Sequence, residues 1–337
     1  MIMDIISILY YFIKYGLFLG VIFLLVVTIA IFLMTNRYPV IERFSEEQSF
    51  KDHASKTTVK FPHMTDPSSI TLSVVVPAYN EEERLPPMLE ETINFLEERC
   101  KKISTYKYEI IVVSDGSKDK TVEVAESYAE KYGNNKIRCL KLIKNRGKGG
   151  AVRLGVQSSR GSVILFADAD GASKFEDFQK LEDALKSMVK YDPVTQPKEV
   201  EKCLAIAIGS RAHLQEESLA KRSFFRNLLM FGFNFLVWLF TVKDIRDTQC
   251  GFKLLTRKAA HICFNSLHVT RWAFDVELLY IAQKLNIPIA EIPVRWTEIE
   301  GSKITPVVSW IQMGLDLSLI WLKYMIGAWK IKGDKFD

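Results

Sequence analysis

Residues 162–170 read SVILFADAD, a mostly apolar and partly β-branched run that stops on Asp168 and Asp170, one residue apart. Such a run is a buried strand, and in a parallel sheet the end of a strand is where ligands are held. Three comparable runs precede it at 71–76, 108–113 and 136–143, with helical patterns between them at about 85–102, 118–132 and 148–159. The alternation predicts a βαβαβαβ unit. The fold class is therefore α/β, a mostly parallel sheet with helices on both faces, because right-handed crossovers lay the connecting helices against it.

Four loops then fall on one rim: Pro77-Ala78-Tyr79-Asn80-Glu81-Glu82, Ser114-Asp115-Gly116-Ser117, Asn145-Arg146-Gly147-Lys148-Gly149-Gly150 and Asp168-Ala169-Asp170. Any one of them reads as a polar turn; together, on the ligand-binding edge, they read as a site. Two carboxylates this close repel each other unless a cation compensates them. Mg²⁺ or Mn²⁺ bridged to a diphosphate is the simplest partner, since such ions take few carboxylates and fill their shell with phosphate oxygens and water. The 146–150 loop places cations and free N–H groups at a helix start, which suits phosphate. It matches neither GxxxxGK[ST] nor GxGxxG, which argues against a P-loop and a nicotinamide dinucleotide.

Composition narrows the field. The 337 residues are 48% hydrophobic and 25% charged with 17 Gly and 11 Pro, which excludes disorder and collagen. A mean hydropathy of +0.05 leaves room for one or two apolar segments beside a soluble majority. A net charge of +5 is too weak to argue for nucleic acid. Five cysteines without any CxxC favour neither a disulfide framework nor a zinc site.

Residues 15–34 are uncharged and long enough to cross a bilayer, and Met34-Thr35-Asn36-Arg37 offers no small-residue cleavage pattern, so the segment reads as an uncleaved anchor. Lys14 precedes it, whereas Arg37, Arg43 and Lys51 follow, which places the main body in the cytosol. The predicted organisation is an anchor at 1–36, a polar linker at 37–69, a catalytic domain at 70–304 and amphipathic C-terminal helices at 305–337. The aromatic-rich stretch 224–242 reads as an interfacial helix or a core helix, and 305–337 as membrane-surface helices or helices packed on the domain.

The stretches VVVPAYNEEERL, VVSDGSKDKT, NRGKGGAVRLG and LFADADG resemble the family 2 glycosyltransferases with the Rossmann-like GT-A fold. IGSRAH, DTQCGFKLL, RWAFDVELL and EIPVRWTEIEGSK extend the resemblance over about 70–304. With the anchor, the chain looks like those members that pass glucose from UDP-glucose to dolichyl phosphate at the endoplasmic reticulum membrane, for protein N-glycosylation. The resemblance implies that Pro77, Ala78, Tyr79 and Glu81 line the nucleotide-sugar pocket and that Asp115 hydrogen-bonds uracil; Lys148, read from its own charge, joins the nucleotide-sugar site by countering the departing diphosphate. It implies that Asp168 and Asp170 handle ribose, diphosphate and metal. Ser114 stands where the family commonly has the first of two acids, and Ala172 where some polyprenyl-phosphate sugar synthases put a metal-binding Gln.

An acceptor phosphate is ionised near neutrality, so it needs positive charge to position it rather than a general base. Arg211, Arg226, Arg295 and Lys303 fall in the matching segments, although any single one also reads as a solvated cation. Asp275 and Glu277 are further candidate catalytic acids; on a helix they diverge by about 200°, so only one faces the substrate, and Asp275 is taken as that one. Two rivals stay open: mannosyl transfer from GDP-mannose, and a non-catalytic membrane scaffold that kept the fold. Oligomeric state stays open as well.

Overall fold

The computed structural model describes residues 2–214, 245–299 and 306–333. Arg226, Lys303 and all of 224–242 lie outside them. The chain opens with α1 (Ile2–Met34), of which Tyr10–Met34 has a mean hydropathy of 3.1, is not buried in the protein and is long and apolar enough to cross a membrane. A hairpin of β1 (Ser49–Asp52) and β2 (Thr57–Lys60) follows. Then come β3 (Ile70–Ala78), α2 (Leu85–Lys102), β4 (Tyr108–Ser114), α3 (Thr121–Tyr132), β5 (Ile137–Lys141), α4 (Lys148–Gln157) and β6 (Gly161–Ala167). The remaining elements are α5 (Phe178–Val189), a short α6 (Pro197–Val200), β7 (Ile206–Ser210), β8 (Phe252–Thr256), α7 (Arg257–Ser266), α8 (Phe274–Lys284), β9 (Ile289–Pro293) and α9 (Pro306–Met325).

Among the described residues, seven strands form one sheet in the order β5-β4-β3-β6-β8-β7-β9, with β8 antiparallel to both neighbours and the other pairs parallel. The four predicted strands are its core. β5 stops before the predicted end at 143 because the Ile143 N–H turns away to the Glu47 carboxylate. Alternation along β3 sends Val75 to one face, under α4, α7 and α8, and Leu72, Val74 and Val76 to the other, under α2, α3 and α5. The α4 helix lies so close to the sheet that a Cβ at Gly155 would meet Val75 Cγ1 at 2.4 Å. After β5 the chain returns to the far side of β3, so the crevice between the carboxyl ends of β3 and β6 is the switch point where such sheets bind ligands.

The stretch read as a linker carries more than a linker. Glu47 is fully buried, takes the Phe44 and Ile143 N–H groups at 3.0 and 2.9 Å, and pairs with Arg146 at 2.6 Å. No periodicity in 36–70 signals this, because one acid with a partner far along the chain leaves no local pattern. At the other end α9 buries Leu317 and Ile320 in the domain while Leu315, Leu319 and Met325 stay exposed. One face of the helix therefore packs on the protein and an apolar face remains uncovered among the described residues.

Candidate active site

The rim loops are laced together by hydrogen bonds before any ligand arrives. The Asp115 N–H donates to the Ala78 carbonyl at 2.8 Å, Glu81 N–H to Thr121 Oγ1 at 2.7 Å, and Lys118 N–H to Asn80 Oδ1 at 2.8 Å. The carboxylate of Asp115 spans to the third loop, accepting the Arg146 N–H on Oδ1 at 2.7 Å and the Gly147 N–H on Oδ2 at 2.8 Å. Burial pushes its pKa up to about 6, although both amides favour the charged form. Asp115 thus clamps the 146–150 loop, and each oxygen keeps a second lone pair that a nucleobase N–H can use. The Ser114 hydroxyl beside it is buried with no hydrogen-bond partner among the described residues.

At the start of α4, Lys148 reaches the fourth loop and meets Asp168 at 2.7 Å. Burial pulls the pKa of this ammonium down, but Asp168, Asp275 and Asp170 outweigh it and hold it above its ordinary value. Asp168 fits only because residue 251 is glycine: a Cβ there would lie 2.0 Å from Asp168 Oδ2. Asp170 accepts the Ala172 N–H at 3.0 Å, and burial, then the Asp168 charge, raise its pKa. Arg84, bound to Glu81 through two 2.7 Å hydrogen bonds, adds positive charge facing both aspartates.

This donor set fits a divalent ion shared with a diphosphate. No group of three or more His, Cys, Asp or Glu among the described residues could hold a metal alone. Two carboxylates do converge, one already balanced by Lys148 and the other raised by burial and then by the Asp168 charge, both of which a cation would offset.

Behind the rim, Asp275 at the start of α8 meets Lys253 of β8 at 2.5 Å, and Lys253 also donates to the Cys250 carbonyl at 2.7 Å. Burial raises the pKa of Asp275, with Lys253 and Lys148 opposing the rise. Glu277 turns the other way, as the helix geometry predicts: it accepts the Val269 N–H at 2.6 Å and the Tyr324 hydroxyl of α9 at 2.8 Å, holding the C-terminal helix.

The predicted nucleotide-pocket residues Pro77 and Ala78 end β3, and Tyr79 stands exposed beyond them. Of the predicted acceptor cations, Arg211 forks onto Asp247 at 2.7 and 2.9 Å, lies 5.4 Å over the Trp296 ring, and carries charge that Asp168 feels. Arg295 pairs instead with Asp177 and Glu176, both at 3.0 Å, with its backbone next to the loop that follows Asp170. Sequence reasoning missed Lys253, Gly251 and Arg84. A lysine inside the apolar strand FKLLT breaks the pattern and was the available signal for the first; nothing local marked the others.

The family model described as Glycosyl transferase family 2 matches residues 73–260. The dolichyl-phosphate beta-glucosyltransferase of Drosophila melanogaster is 57% identical over 88% of this chain and 88% of that protein. The proteins of the same name from Mus musculus and Homo sapiens are each 54% identical, covering 94% and 92% of this chain and 95% and 92% of their own lengths. A crystal structure of the M. tuberculosis glucosyl-3-phosphoglycerate synthase aligns with a TM-score of 0.48 at 16% identity, over 79% of this chain and 83% of that one. The family match and the three relatives of 54–57% identity show that the chain belongs to glycosyl transferase family 2, among its dolichyl-phosphate beta-glucosyltransferases.

Proposed function

We propose that this chain transfers glucose from UDP-glucose to dolichyl phosphate with inversion, giving dolichyl β-D-glucosyl phosphate for N-glycosylation, from the cytosolic face of the endoplasmic reticulum membrane. Identities of 54–57% to proteins named for that activity support the reading. The single observation that carries it in the structure is Lys148 held 2.7 Å from Asp168, with Asp170 beside it, at the switch point of the sheet. The excess of Arg37, Arg43 and Lys51 over Lys14 supports the orientation.

The donor pyrophosphate lies against Lys148 at the start of α4, beside the loop whose shape Asp115 fixes by taking the Arg146 and Gly147 N–H groups. Asp170 with Asp168 would hold Mg²⁺ or Mn²⁺, which when bound offsets the negative charge gathering on departing UDP. An oxygen of the acceptor phosphate bonds to the anomeric carbon as the bond to UDP breaks on the opposite face. Both phosphates are anions throughout, so no proton has to move and no general base is required. Arg211 holds its charge through Asp247 and takes the acceptor phosphate together with Arg226 and Lys303, whereas Arg295 is engaged by Asp177 and Glu176. Asp275 acts as a positioning residue, fixing Lys253 and adding to the field that keeps Lys148 charged.

The test offers the purified full chain radiolabelled UDP-glucose, UDP-galactose or GDP-mannose with dolichyl phosphate, with and without chelator, and follows label into the organic phase. Transfer from UDP-glucose that chelation removes is the expected result. Transfer from GDP-mannose alone overturns the glucosyl reading, and transfer indifferent to chelation overturns the metal.

A further inference from the structure

A second cleft, of about 300 Å³, opens on the other side of the 144–150 loop. Its walls are the segment that follows α1 (Val40, Ile41, Glu42), the loop itself, Arg153 of α4, and Thr270 and Arg271 before α8. Four cations and one acid line it. Two of the cations are matched: Lys144 pairs with Glu42 at 2.5 Å and Arg146 with Glu47 at 2.6 Å. The other two make no ion pair among the described residues, with Asp316 facing Arg271 and Glu277 facing Arg153 only from a distance. Arg271 is exposed and makes no side-chain hydrogen bond among the described residues. Arg153 is 3% exposed, donates through one terminal nitrogen to the Leu267 carbonyl, and meets the charge of Glu277 only from a distance.

The buried donors are incomplete as well. Nε of Arg153 and Nε of Arg146 both lack a hydrogen-bond partner among the described residues, and both residues line this cleft. Guanidinium groups whose donors are not all met, standing beside one cavity, suit an anion. Burial lowers the pKa of Arg153 to about 10, the shift of a cation that lacks compensation and that an anion would reverse.

Place identifies the anion. Val40 is six residues beyond the end of α1 at Met34, so at most about 20 Å of extended chain separates the cleft from the helix that crosses the bilayer. A guanidinium fork matches phosphate oxygens, and the leaflet beside the helix is a dense source of them. We infer that this cleft holds the headgroup phosphate of a bilayer phospholipid, and through Arg146 connects the membrane surface to the loop that carries Lys148.

The test titrates fluorescent phosphatidic acid onto the detergent-solubilised full chain without UDP-glucose, so it stands apart from the transfer reaction. Saturable binding is expected, displaced by unlabelled phosphatidic acid and not by UDP. Arg271→Gln and Arg153→Gln should each weaken it by about tenfold, while Lys202→Ala, which removes one exposed charge elsewhere, leaves it unchanged. Arg271 is on the surface, so its variant reports even if the Arg153 variant does not fold. Binding unaffected by Arg271→Gln overturns the inference. So does displacement by inorganic phosphate, by UDP or by dolichyl phosphate more readily than by phosphatidic acid, which would assign the cleft to a soluble anion, the donor or the acceptor.

Discussion

The two ends of the parallel sheet treat their acids in opposite ways. At the amino end Glu109 of β4 is fully buried and saturated: it accepts Ser73 Oγ at 2.5 Å, the Arg160 N–H at 2.7 Å and Arg160 Nε at 3.0 Å, and it pairs with Arg138. At the carboxyl end Asp170 accepts a single N–H at 3.0 Å and has its pKa raised by burial and by Asp168. Both are carboxylates on the same sheet. Saturation separates the acid that holds the fold together from the acid proposed to meet a ligand.

Replacing each acid in turn breaks or sharpens that contrast. Asp170→Asn should lower transfer by about 10³-fold, since it removes a proposed ligand of the cation that would offset the charge on departing UDP, while the melting temperature holds or rises because a repulsion is gone. Asp275→Asn should lower transfer less; equal damage counts against a base-free reaction. Glu109→Ala should do the reverse, costing about 3 kcal/mol of stability by stranding Arg138 and Arg160, with kcat per folded molecule unchanged in the same label-transfer assay. A smaller loss, about 10²-fold in transfer, is expected from Gly251→Ala, whose Cβ would displace Asp168 from Lys148; activity equal to the parent would mean that Asp168 has room to move.

The smallest effect concerns Asp115, which lies between the two extremes, clamped by two amides yet raised to about 6 by burial. A carboxyl whose folded pKa exceeds its unfolded value binds its proton more tightly when folded. Its contribution to stability is therefore complete below the ordinary value of 3.8 and is lost as pH rises through about 6. An NMR titration of the Asp115 carboxyl carbon should show a midpoint near that value, and a midpoint below 4 would mean that the amides, not burial, dominate.

How far the sequence could be read follows from the range of the interactions. β3, β4 and β6 were legible because a buried parallel strand is a continuous apolar run, and the rim loops because turn residues follow each run directly. Asp168 and Asp170, the pair proposed for the metal, stood out for the same reason, lying at the end of one such run. Arg211 and Arg295 show the boundary. A guanidinium that suits a phosphate also suits a carboxylate, and Asp247 and Asp177, which occupy them here, lie 36 and 118 residues away along the chain. Glu47 was invisible because its partner Arg146 is 99 residues distant and its neighbours Ser45 and Glu46 are ordinary polar surface.

That last contact governs how the enzyme can be handled. The carboxylate of Glu47 braces Arg146, and Arg43 in turn grips the Glu47 carbonyl at 3.0 Å, so the chain that follows α1 is a strut of the 146–150 loop. A water-soluble version trimmed upstream of Arg43 keeps that strut, whereas one starting at the first sheet strand, near residue 70, leaves Arg146 without its brace and the reaction centre slack.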